Sequence, residues 1–125
     1  MSATATTKEI PPPLQMLQLI SGFWIARCVY IAAKLGIPDL LKDGPKTADE
    51  LATATGTHAP SLFRVLRALG AVHVFTQTSD YRFSNTPLSE TLLSVPGSIR
   101  AFAMTELGEE HYPAWGELLH SVRTG

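Results

Sequence analysis

Between Leu14 and Leu35 the chain reads LQMLQLISGFWIARCVYIAAKL, with few polar positions: chiefly Gln15, Gln18, Ser21, Arg27 and Lys34. This pattern predicts one long helix that is apolar nearly all round, and such a helix has to be covered on more than one side. The polar positions leave no uninterrupted run of about 18 apolar residues, so burial between subunits fits better than a membrane span. Leu17, Ile20, Trp24, Ile25 and Val29 are the candidate dimer-interface positions, and Gly22 is a candidate close approach. Residues 1–13 read as a disordered tail, polar through Glu9, with Pro11, Pro12 and Pro13 as a polyproline stop before the helix.

The pattern then shortens. Thr47-Ala48-Asp49-Glu50 has the form of a capping box and opens a short helix that Gly56 ends in a left-handed conformation. Thr57 or His58 can cap the next helix, and Pro60 is tolerated in its first turn. Leu62, Val65, Leu66 and Leu69 recur at helical spacing with Arg64 and Arg67 on the other side, and Gly70 is the expected stop. Val72 and Val74, then Tyr81 and Phe83, alternate as two strands joined by the polar turn Gln77-Thr78-Ser79-Asp80. Helix, turn, helix and hairpin in this order predict a mainly α fold: a winged helix-turn-helix with a two-stranded wing and flanking helices, spanning residues 14–125. Thr86-Pro87 opens a further helix through Leu93, and Ile99 to Leu107 forms another with Phe102 on its buried side. From Tyr112 to Val122, the residues Trp115, Leu118, Leu119 and Val122 make one apolar stripe.

Composition narrows the function. A chain of 125 residues with 45% hydrophobic residues suits one domain with apolar surface to spare for a partner. Ten Lys and Arg against eleven Asp and Glu give a net charge of −1, a poor footprint for nucleic acid. Cys28 stands alone, which excludes a disulfide framework and fits a reducing, cytoplasmic setting. The N-terminus lacks the basic-then-apolar pattern of a secretory signal.

No candidate catalytic, cofactor-binding or metal-ligating residue emerges from spacing. The phosphate-cradling glycine patterns and HExxH are missing from the sequence. Glu106, Glu109, Glu110, His111 and His120 form the one acidic and His cluster, but His111 and His120 fall on opposite helix faces, so a solvated turn is the expected state. Ser61 and Ser121 have no His or Asp partner at a motif spacing. Met16, Trp24, Met104 and Trp115 can line a pocket for a flat aromatic ligand or can be ordinary core. Arg64 and Arg67 can touch DNA, yet the wing sequence TQTSDYR adds no basic stripe. A winged-helix transcription regulator and a freestanding dimerisation module therefore stay as alternatives.

Several separated motifs occur in a telling order: the apolar helix, A-x-x-L-G-I-P-D-L-L, T-A-D-E-L-A, L-x-R-x-L-R-A-L, the wing, T-P-L-S, and W-x-x-L-L-x-S-V-x-T-G. From about Leu14 onward this resembles the N-terminal dimerisation domain of S-adenosylmethionine-dependent small-molecule O-methyltransferases of the bacterial and plant types. The resemblance implies an intertwined homodimer and a domain that closes one side of the acceptor pocket, with Met104, Trp115 and Trp24 as candidate wall residues. It also implies a Rossmann-like catalytic domain, supplied in cis or in trans, that holds S-adenosylmethionine and a His base. The chain stops where that domain would begin, so the 125 residues are expected to be inactive alone, with no cofactor of their own and no nucleic-acid or membrane partner.

Overall fold

The computed structural model describes residues 9–125. Most of the expected tail lies outside the described residues. Its last part is helical, because helix α1 (Pro12–Ile20) begins on Pro12, with proline in the first turn, where no amide partner is lost. The single long helix expected over Leu14–Leu35 is two. Ser21 donates its hydroxyl to the Leu17 carbonyl at 2.8 Å, and α2 (Gly22–Leu35) leaves at a bend of 40°. A serine bonded back onto its own helix beside a glycine is a recurring cause of such kinks. A Cβ built on Gly22 meets nothing within 4 Å, so its expected close approach does not occur within the protomer.

Gly36 closes α2 at φ 68°, and α3 (Ile37–Leu40) follows at once. Strand β1 (Lys46–Thr47) then runs into α4 (Ala48–Thr55) through the predicted capping box. Thr47 Oγ1 accepts from the Glu50 amide at 3.1 Å, while the Thr47 amide donates to Glu50 Oε1 at 3.0 Å. Gly56 ends α4 at φ 67°, and α5 (Ala59–Ala71) starts after His58, whose Nδ1 lies 2.8 Å from Ser61 Oγ.

The end of α5 differs from expectation. Gly70 lies inside the helix, and the stop comes from His73 at φ 65°. The Val74 amide donates to the Leu69 carbonyl at 2.9 Å and the His73 amide to the Gly70 carbonyl at 3.2 Å. That pair of bonds is a Schellman motif, with buried Val74 and Leu69 making its hydrophobic contact. The turn therefore takes up Val72 and Val74, and the first strand of the wing, β2 (Phe75–Gln77), starts one residue later. Tyr81 also leaves the strand pattern: it sits at φ 61° in the turn, exposed, and β3 (Arg82–Asn85) begins after it. The sheet has three antiparallel strands in the order β1-β3-β2 rather than two, with Lys46 opposite Phe83 and Gln77 opposite the same residue on the other edge.

The main core lies between α2, α4, α5 and the sheet. Ile37, Leu51, Leu66, Leu69, Phe75 and Phe83 are essentially fully buried, and the Phe83 ring meets Phe63 edge to face at 5.9 Å. Beyond the wing, α6 (Pro87–Glu90) is a single turn capped by Thr86, shorter than the expected run to Leu93. A second, smaller cluster joins Ala33 and Leu92 to Ala103 of α7 (Arg100–Glu106). Phe102, expected on the buried side, is 68% exposed. Ala103, 8% exposed, takes the inward position instead, in one cluster with Ala33 of α2. The final stripe is likewise broken, at Glu117, into α8 (Tyr112–Gly116) and α9 (Leu118–Thr124), neither of which buries a residue.

One polar clip ties α3 to the segment after α6. Asp39 accepts from the Ser94 hydroxyl at 2.7 Å and the Ser94 amide at 3.0 Å. The hydroxyl bond is the largest influence; together with the amide bond and the Arg100 and Lys42 charges it outweighs the opposing burial penalty and holds the Asp39 carboxyl below its ordinary range. A depressed folded value means that the clip's contribution is present above the unfolded carboxylate pKa of about 3.9 and is lost as pH falls through the folded value. Asp39→Asn should therefore melt at a lower temperature than the parent at neutral pH, with the gap closing in acid. Thermal melts across that range check it, and a gap independent of pH would remove the carboxylate from the account.

Candidate functional site

The most unusual surface is built by α1 and the first turns of α2. Leu14, Met16, Leu17, Leu19, Ile20, Phe23 and Trp24 are all exposed, and the Phe23 and Trp24 rings lie edge to face at 5.7 Å. Helix α1 buries no residue at all. An apolar strip of this size on a protomer is the usual mark of an interaction surface. Of the five interface candidates, Leu17 (58% exposed), Ile20 (59%) and Trp24 (61%) lie on this strip. Ile25 is half-buried, and Val29 packs inside the protomer against both core clusters. Among the described residues no single helix is long and apolar enough to cross a membrane; α1 and α2 reach that length only as a pair bent at Ser21.

The three candidate pocket residues do not converge. Met104 is half-buried beside the smaller cluster and lines a shallow cavity of about 320 Å³ with Tyr30, Lys34, Glu109 and His111. Trp24 and Trp115 lie outside that lining, and both are exposed, Trp24 on α2 and Trp115 on α8. Glu106, Glu109, Glu110 and His111 are solvated around the turn after α7. Among the described residues no three His, Cys, Asp or Glu side chains are grouped to hold a metal ion. Burial pushes the Cys28 thiol up, away from the reactive thiolate. Arg64 and Arg67 are exposed on α5 and border an open groove of about 510 Å³ with Asp49, Phe63 and Tyr81.

The interaction that pattern reading missed centres on Arg27. Its Nη1 donates to the Leu107 carbonyl at 2.7 Å, and its Nη2 lies 3.7 Å from Glu109 Oε1. The guanidinium also sits over two rings, 4.8 Å from the centre of Tyr30 and 4.7 Å from that of Tyr112. The signal was present: a lone arginine inside an apolar run needs partners from elsewhere in the chain. Which partners it finds depends on tertiary structure.

Residues 17–95 match the O-methyltransferase dimerisation domain. The chain belongs to that family. The dimerisation domain is 47% identical over 117 residues to the phenazine O-methyltransferase PhzM of Lysobacter antibioticus, covering 93% of this chain and 34% of the relative. Among solved structures it superposes on LaPhzM with a TM-score of 0.88 at 47% identity, over 93% of this chain and 35% of the other. It also superposes on CalO1, a methyltransferase in calicheamicin biosynthesis in its SAH-bound form, with a TM-score of 0.70 at 38% identity, over 78% and 29% of the two chains. The dimerisation domain thus spans about a third of the length of the relatives it matches.

The described residues of the dimerisation domain do not compose a site for the methyl donor. Such a site needs a close backbone approach to the cofactor and an acidic partner for its ribose, set at the end of a parallel sheet. The strands here are two to four residues long in one antiparallel sheet.

Proposed function

We propose that this dimerisation domain pairs two copies of an S-adenosylmethionine-dependent O-methyltransferase and closes one side of its acceptor pocket. The acceptor class is a small hydroxylated molecule, aromatic or polyketide-like. Residues 14–125 form the dimerising unit, and the donor and the catalytic base belong to a separate catalytic domain. The supporting observation is the exposed apolar strip of α1 and α2 in a chain whose family is named for dimerisation. Met104, Trp115 and Trp24 are the proposed pocket walls: the protomer leaves both tryptophans exposed, and the rest of the enzyme is their cover.

Sedimentation at micromolar concentration should report a homodimer, and a folded monomer at that concentration would refute the pairing role. The same sample in a duplex-DNA anisotropy titration at physiological salt should bind no tighter than about 10⁻⁵ M. Nanomolar binding lost on Arg64→Ala with Arg67→Ala would instead establish the regulator reading.

A further inference from the structure

The segment after α7 is joined to the rest of the domain in a peculiar way. Helices α8 and α9 bury no residue, so packing alone holds them weakly. Among the described residues, the only side-chain hydrogen bond or ion pair between residues 107–125 and the chain before Leu107 comes from Arg27. Its guanidinium reaches three successive parts of the turn: the Leu107 carbonyl, the Glu109 carboxylate and the Tyr112 ring. Gly108 lets this turn close, because a Cβ there would collide with the Met104 carbonyl oxygen.

We propose that Arg27 is a positioning residue that clasps the α7–α8 turn to α2 and so sets where α8, with Trp115, stands relative to the dimer strip. The inference rests on the reading of α1 and α2 as the pairing surface. Each part of the clasp has a different weight. The Glu109 contact is long and Glu109 is 78% exposed, so it contributes little. The bond from a charged donor to the Leu107 carbonyl and the contacts of the guanidinium with the Tyr30 and Tyr112 rings are partly shielded from water, where both interactions strengthen. Arginine suits the place because its planar fork can stack on rings and donate sideways at once.

Amide hydrogen exchange on the intact chain tests the clasp, with Arg27→Met, Arg27→Lys and Tyr112→Ala compared against the parent. In Arg27→Met and Tyr112→Ala the amides of residues 107–117 should lose protection by roughly tenfold or more, the worth of a charge-assisted bond or a shielded stack. The amides of α5 should keep theirs. Arg27→Lys should fall between, since an ammonium keeps the ring contact but loses the fork. If Arg27→Met fails to fold, Tyr112→Ala reads the same clasp from the exposed side. Unchanged protection of residues 107–117 in Tyr112→Ala, or an equal loss throughout α5, would overturn the proposal. Sedimentation of the same samples reports pairing separately, so a monomeric parent would refute the interface reading whatever the exchange shows.

Discussion

Leu17→Asp combined with Ile20→Asp should yield a folded monomer. Both side chains are more than half exposed on α1, a helix that contributes no buried residue to the protomer, so the core does not feel their loss. In the proposed pair they are covered. Burying a leucine or isoleucine side chain is worth about 1.5–3 kcal/mol each. Placing an unpaired carboxylate at each position adds a desolvation cost of several kcal/mol more. Two positions per protomer, counted on both sides of a symmetric contact, shift the dissociation constant by at least about a thousandfold, at roughly 1.4 kcal/mol per factor of ten. Sedimentation should show half the parent's mass with unchanged circular dichroism. A variant that remains a dimer would place the interface elsewhere on the domain. Asp at Val29 is a poorer probe, because Val29 packs against both core clusters and its loss disturbs the protomer as well.

The second large effect is internal. Phe83→Ala should cost about 3–5 kcal/mol, the range for truncating a buried phenylalanine. Phe83 is 0% exposed on β3, the central strand, and its ring fills the space between Phe63 and the rest of the main cluster. Since a domain of this size is stable by about 5–15 kcal/mol in all, the variant should lose much of its margin and unfold at far lower denaturant. Phe102→Ala is the matched control: its ring is 68% exposed, and surface truncations fall within about 0.5 kcal/mol. Urea unfolding of the two variants under conditions that keep the parent's oligomeric state should separate them clearly. A Phe102→Ala cost equal to that of Phe83→Ala would mean that Phe102 is buried in a contact the protomer does not make.

Local signals were sufficient for the central unit. Thr47 and Glu50 cap α4 by bonds within four residues of chain, Gly56 adopts the left-handed turn that its lack of a Cβ permits, and the α5 stripe of Leu62, Leu66 and Leu69 faces one core. These interactions are short-range, so the residues that make them are neighbours in the sequence. The order of helix, turn, helix and wing follows from them, and with the longer motif order so does the family. Tertiary packing decided the rest. Ala103 rather than Phe102 faces inward, against Ala33 of α2 and Leu92, and an apolar pattern over seven residues cannot say which side will find a neighbour. The wing began at Phe75 rather than Val72 because His73 took a conformation more typical of glycine, held there by a Schellman contact between Leu69 and Val74. Its third strand, β1, came from a two-residue segment too short to show any alternation. Arg27 was legible as a charge out of place, and Tyr30 is its neighbour on the same helix, but Leu107, 80 residues along the chain, and Tyr112 beyond it are brought to it only by folding.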